Sequence, residues 1–249
     1  MRREGRVPAR ERRNTLPMTG DEERQRPEEA FRAVKWIFFD VGSTLADESE
    51  AHRGRFDSIR ATLEERAGRK VDFCEFEDKM YEGGRSSEKH GPFGYALSCF
   101  GCGGMHVSYS SDREEVYPEA TEALRVLSEK YSLGIIANQL PGLPERLEKM
   151  GLSRFFVKSA VFGSGDCGME KPGTGIFACA LAAAGCEPRE AVMVGDLPKN
   201  DIAPAASAGM RTVRIRRGYF KDRPAAAESE IADADISDLD GLVKLLIKE

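Results

Sequence analysis

The chain has 249 residues, is 41% hydrophobic and 32% charged, and carries a formal net charge of −5. That supplies apolar material for one large or two modest domains. It also argues against a partner held by strong positive charge, whether nucleic acid or an anionic membrane. No apolar run approaches the roughly 20 residues that span a bilayer. The six cysteines (74, 99, 102, 167, 179 and 186) have no secretory segment beside them and read as reduced thiols of a cytoplasmic protein. Cys99-Phe100-Gly101-Cys102, with His106 and His90, has zinc-like spacing, but no second tight ligand pair closes a four-ligand site, so it reads as incidental. Nothing in the sequence sets an oligomeric state.

Residues 1–33 are rich in Arg and Glu and poor in large apolar side chains. Such a segment buries too little surface to offset its chain entropy and is expected to be a disordered tail, with Met18 an alternative start. Val34 to Val41 reads as a buried strand ended by Gly42. Residues 48–112 turn helical, with Phe56, Ile59 and Leu63 on one face. Pro118 opens a helix whose apolar face is Leu124, Leu127 and Tyr131. Strands follow at Leu133–Ala137, Phe155–Phe162, Ala191–Val194 and Thr212–Ile215, and helices at Leu143–Met150, Gly175–Ala184, Asp201–Ala208 and Ile236–Ile247. Strands alternating with helices predict an α/β fold with a mainly parallel, Rossmann-like sheet. Residues 34–47 and 113–249 would form that core and 48–112 a helical insertion.

Ligands of such sheets bind beyond the carboxyl ends of the strands, where Asp40, Asn138 and Asp196 stand. A carboxylate at the end of a buried strand is costly without a partner. If the first and fourth strands are neighbours, Asp40 and Asp196 converge, repel and need a cation, and oxygen-only ligation favours magnesium. Asp201 would be a second ligand or hold the first. Lys171 supplies a compensating charge, and Asn138 can donate to an anion. Each residue alone reads as a cap, a turn or a solvated charge. Their order and spacing carry the argument. The arginines at 211, 214, 216 and 217 read as a solvated sheet edge.

Four segments together resemble the haloacid dehalogenase (HAD) superfamily: Asp40-Val41-Gly42-Ser43-Thr44-Leu45, Ala137-Asn138, Lys171-Pro172, and Gly195-Asp196 through Asp201. The resemblance covers about residues 34–247, and the place of the insertion is similar to the family's C1 cap. It implies a hydrolase of a small phosphorylated molecule. Asp40 would attack phosphorus and form an aspartyl-phosphate that water hydrolyses. Asp40, the Gly42 carbonyl and Asp196, with Asp201, would hold Mg2+. Lys171, Asn138 and Thr44 would hold the phosphoryl group.

The chain departs from the family pattern at two positions. Gly42 stands where family phosphatases carry a second Asp that protonates the leaving oxygen, a function worth about 10²–10⁴-fold. Ala137 replaces a hydroxyl residue. Candidate replacement acids are Glu48 and His52 near the first motif and Lys79, Lys89 and His90 within the insertion. Two alternatives follow from the departures. One is an inactive or weakly active scaffold that binds a phosphorylated ligand or partner. The other is a phosphonate or haloacid hydrolase, the former needing an insertion lysine. On the phosphatase reading, Gly42→Asp is expected to raise turnover of alkyl phosphates.

Overall fold

The computed structural model describes residues 30–85 and 91–247. Residues 1–29 of the expected tail, together with Lys89 and His90, lie outside this range. Phe31, which the sequence reading assigned to the tail, is buried in the core. No helix of the described residues is long and apolar enough to cross a membrane.

Six strands form one sheet: β1 (Trp36–Phe39), β4 (Ser132–Ala137), β5 (Val161–Gly163), β6 (Ala191–Gly195), β7 (Arg211–Ile215) and β8 (Ala234–Ile236). Their order is β5-β4-β1-β6-β7-β8 and every pairing is parallel. Purely parallel sheets are buried on both faces, and side chains along a strand point alternately to the two sides. The sequence of β1 shows this directly. Ile37 and Phe39 enter a core with α4 (Ala120–Ser128), α5 (Leu143–Lys149) and α8 (Leu239–Leu246). Phe38 enters a second core, with α6 (Gly175–Ala184) and α7 (Ala203–Ser207). The chain runs from β1 outward to β5, then returns to build β6, β7 and β8 on the other side. The direction of winding therefore reverses between β1 and β6, the place where such sheets open a crevice for ligands.

A two-stranded antiparallel ribbon, β2 (Ala46–Asp47) and β3 (Glu115–Val116), brackets a helical module. Its helices are α1 (Ser49–Ala67), α2 (Phe73–Arg85) and α3 (Gly91–Cys99). The module has its own apolar core, centred on Phe56, Leu63, Phe76 and Phe93. Cys102 is buried there, whereas Cys99 is exposed.

The structure corrects several expectations. The third strand of the sequence reading is shortened to Val161–Gly163, because 3-10 turns at Ser153–Phe155 and Lys158–Ala160 take up the rest. The C-terminal helix, expected from Ile236, starts at Leu239, and Ile236 instead ends β8, a strand too short and too polar to show an alternating pattern. The helix expected from Asp201 is preceded by a π-helical turn, Pro198–Ile202. Of the four arginines read as a solvated edge, Arg214 and Arg217 are buried, while Arg211 is half-exposed and Arg216 exposed. Arg214 is fully buried and donates to the carbonyls of Phe220 and Arg223. Arg217 pairs with Glu119 and lies over the Tyr117 ring. Arg211 and Arg216 pair with Asp233 and Asp235.

Gly134 of β4 lets the Phe38 ring close over it. A Cβ there would lie 2.5 Å from the ring and 2.8 Å from the Ala160 carbonyl oxygen. Gly134→Ala is therefore expected to cost about 1–3 kcal/mol, the usual cost of overpacking. Urea unfolding would measure it, and an unchanged midpoint would show that the contact relaxes freely.

Candidate active site

Three strands deliver the polar residues. Asp40 follows β1, Asn138 follows β4 and Asp196 follows β6. The backbone N–H of Asp40 still donates to the Val194 carbonyl at 2.9 Å, so sheet pairing itself fixes Asp40 beside β6. Asp201 reaches back from the π-helical turn and accepts from the Leu197 N–H at 2.9 Å. It lies so close to Gly195 that a Cβ there would be 2.3 Å from the Asp201 carboxyl carbon.

Lys171 is buried at the centre. Its ammonium donates to Asp40 Oδ1 at 2.7 Å, to Asp201 Oδ1 at 2.6 Å and to the Ile136 carbonyl at 3.0 Å. These three bonds use all three of its protons. Burial disfavours the charged ammonium, but Asp201 and Asp40 outweigh burial and hold its pKa above the ordinary value. Asp40, Asp196 and Asp201 offer carboxylate oxygens within 4.8 Å of one another, a group able to hold a metal ion. Burial pushes Asp196 well above the ordinary carboxylate range, with further contributions from Asp201, Asp40 and Glu48 and only Lys171 opposing among the named charges. Such crowding favours either a proton or a cation.

A cavity of about 930 Å³ spans the sheet end and the helical module. Glu48, at the N-terminus of α1, lines it. Its Oε1 accepts from the Tyr109 hydroxyl at 3.2 Å and lies 3.5 Å from Arg146 Nη2. Tyr109 and Arg146 are both also bonded to Glu114. Burial, then Glu114 and Asp40, raise the Glu48 pKa from 4.5 to about 7. His52 lies one turn on, among the rings of Phe93, Tyr109 and Tyr219, with its Nδ1 buried and unpaired. Burial and then the charge of Arg55 lower its pKa to about 4. Arg55 itself lies 3.6 Å over the Phe93 ring centre.

The family profile of haloacid dehalogenase-like hydrolases matches residues 34–209. The chain belongs to this family. It is 32% identical to a glyceraldehyde 3-phosphate phosphatase of Methanopyrus kandleri over 222 residues, 82% of this chain and 93% of that protein. A Pyrococcus furiosus protein of the same name is 31% identical over 88% of this chain and 95% of its own length. A solved HAD phosphatase from Thermococcus onnurineus superposes with a TM-score of 0.61 at 27% identity, over 86% of this chain and 98% of that one.

Of the residues singled out in the sequence, the HAD-like core brings together Asp40, Gly42, Asn138, Lys171, Asp196 and Asp201 around one cavity. Asn138 has a local task there. It donates to the Lys171 carbonyl and accepts from the Lys171 N–H, both at 2.8 Å, and so fixes the backbone that carries the ammonium. Thr44 is fully buried, its hydroxyl unpaired, and it does not line the cavity. The neighbouring Ser43, in a left-handed conformation with φ 51°, does. Ala137 is packed in the apolar core. Lys79 pairs with Glu82 away from the cavity lining. Tyr109, Glu114 and Arg146 escaped the sequence reading because no local spacing links them to Glu48. Gly42 is also less open than the sequence suggests. A Cβ there would lie 2.2 Å from Glu48 Oε2, so Gly42→Asp would have to displace the Glu48 carboxyl.

Burial raises Asp201 to about 6 against the pull of Lys171. A carboxyl with a raised folded pKa keeps its proton in the folded chain where the unfolded chain has lost it. Its contribution to stability is complete below the unfolded pKa and is lost as pH rises through the folded value. Replacing Lys171 with Met leaves Asp40 and Asp201 without their cation and should cost about 3–5 kcal/mol at neutral pH. In metal-free protein that cost should shrink as the pH falls through about 6, where Asp201 takes up its proton, toward the ordinary carboxylate range. Denaturant melts at several pH values would test this, and a loss independent of pH would refute it.

Proposed function

We propose that this chain is a divalent-metal-dependent phosphohydrolase that acts on small phosphate monoesters through an aspartyl-phosphate on Asp40. The observation that carries the reading is the buried clasp of Lys171 on Asp40 and Asp201 at the switch point of the sheet. It leaves Asp40 at the cavity wall, held in one place by a buried positive charge that lowers the cost of bringing a phosphate to the carboxylate. Two full-length relatives bear the name of a phosphatase of a small phosphorylated aldehyde, and we extend that substrate class to this chain.

The donor set suits magnesium. It is all oxygen, buried and crowded with carboxylates, which matches a small hard cation. Asp40, Asp196 and the Gly42 carbonyl would hold it, with Asp201 orienting the group. When bound, the ion would neutralise charge shared by carboxylate and phosphate. We read residues 48–112 as a C1-type cap over a core of 34–47 and 113–249, the cap shaping the cavity and excluding water. Six cysteines without a disulfide are in keeping with a cytoplasmic enzyme.

The test is turnover of p-nitrophenyl phosphate and glyceraldehyde 3-phosphate, with magnesium or with a chelator. We expect activity that needs the metal and falls to background in Asp40→Asn. A folded protein with no turnover of either ester, or one whose activity survives Asp40→Asn, would return the chain to a binding role.

A further inference from the structure

An alkoxide is a poor leaving group, so hydrolysis of an unactivated phosphate ester needs a proton donor at the leaving oxygen. The titratable groups around the cavity narrow the choice. Asp40 is the nucleophile, and Lys171 and Asp201 hold each other. Asp196 belongs to the carboxylate cluster. Tyr109 is bonded to two carboxylates, Tyr219 donates to the Ser49 carbonyl, and Glu170 and His106 are exposed at the rim. His52 is enclosed by three rings and faces the charge of Arg55. Glu48 is left.

Its geometry suits the task. One oxygen, Oε1, is anchored by Tyr109 at 3.2 Å and Arg146 at 3.5 Å. The other, Oε2, is turned to the first motif and lies 2.2 Å from where a Cβ of residue 42 would be. Residue 42 is two positions from Asp40, so the Glu48 carboxyl occupies the volume that a longer side chain at position 42 would fill. We propose that Glu48 is the proton donor and acceptor of the reaction, entering from the start of α1 in place of a side chain at position 42.

The inference rests on phosphoester hydrolysis at Asp40. In the first step the Asp40 carboxylate forms a bond to phosphorus, the bond from phosphorus to the leaving oxygen breaks, and that oxygen takes the proton of the Glu48 carboxyl. In the second, water gives a proton back to Glu48 as its oxygen bonds to phosphorus. The bond to Asp40 then breaks, releasing inorganic phosphate and the free Asp40 carboxylate.

Glu48→Gln keeps the shape and removes the proton transfer. The readout is kcat/KM, which ends at departure of the leaving group, for p-nitrophenyl phosphate and for phenyl phosphate. Phenolate is the more basic leaving group and depends more on protonation. For phenyl phosphate we expect a loss within the roughly 10²–10⁴-fold range of general acid catalysis, and for p-nitrophenyl phosphate a loss smaller by about tenfold or more. Equal losses on the two esters, or none, would overturn the assignment. Wild-type turnover no better than Asp40→Asn on either ester would instead overturn the hydrolase reading beneath it. A second pair of variants tests the shared volume. Gly42→Asp on a Glu48→Ala background should regain phenyl phosphate turnover relative to Glu48→Ala alone, and no gain would count against the proposal.

Discussion

The ammonium of Lys171 sits in the interior with three acceptors around it, and much of the site depends on that arrangement. An isolated buried charge would be too costly to keep, and so would the carboxylates it meets. Together they persist because each solves the other's problem. The fold prepares the meeting. β1 lies between β4 and β6, so residues that follow these strands converge although they are far apart in sequence. Asn138 then fixes the backbone of Lys171 through a pair of hydrogen bonds, and Asp201 is fixed through the Leu197 N–H.

The helical module contributes a different kind of environment. It brings aromatic walls and a partly buried glutamate to a site otherwise made of sheet ends. Around Glu48, the residues Tyr109, Glu114 and Arg146 come from the segment leading to β3 and from α5. The module and the core therefore share one network of charges across the cavity, and the position of α1 relative to β1 decides how near Glu48 comes to Asp40.

The alternation of the strands and the order of the polar residues at their ends were readable from the chain, because burial on both sheet faces leaves long apolar runs that stop abruptly at Asp40, Asn138 and Asp196. Short polar elements were not. β8 and the β2–β3 ribbon are two or three residues long, and pairing rather than composition makes them strands. Arg214 shows the same limit from the other side. A charged residue in a strand reads as solvent-facing, and only the carbonyls of Phe220 and Arg223, supplied by the following loop, make its burial tolerable. At the site, Gly42 read as open space, because the sequence gives no sign that the carboxyl six residues later folds back beside it. Thr44 read as a ligand group, yet the turn directs Ser43 to the cavity instead.

The central claim is that this clasp presents Asp40, and no other carboxylate, to phosphorus. The most direct measurement is rapid acid quench during turnover of p-nitrophenyl phosphate, followed by peptide mass spectrometry. The account predicts a phosphoryl group on the peptide containing Asp40, located to that side chain and absent in Asp40→Asn. Steady turnover with no phosphorylated peptide, or with the label on Asp196 or Asp201, would contradict it.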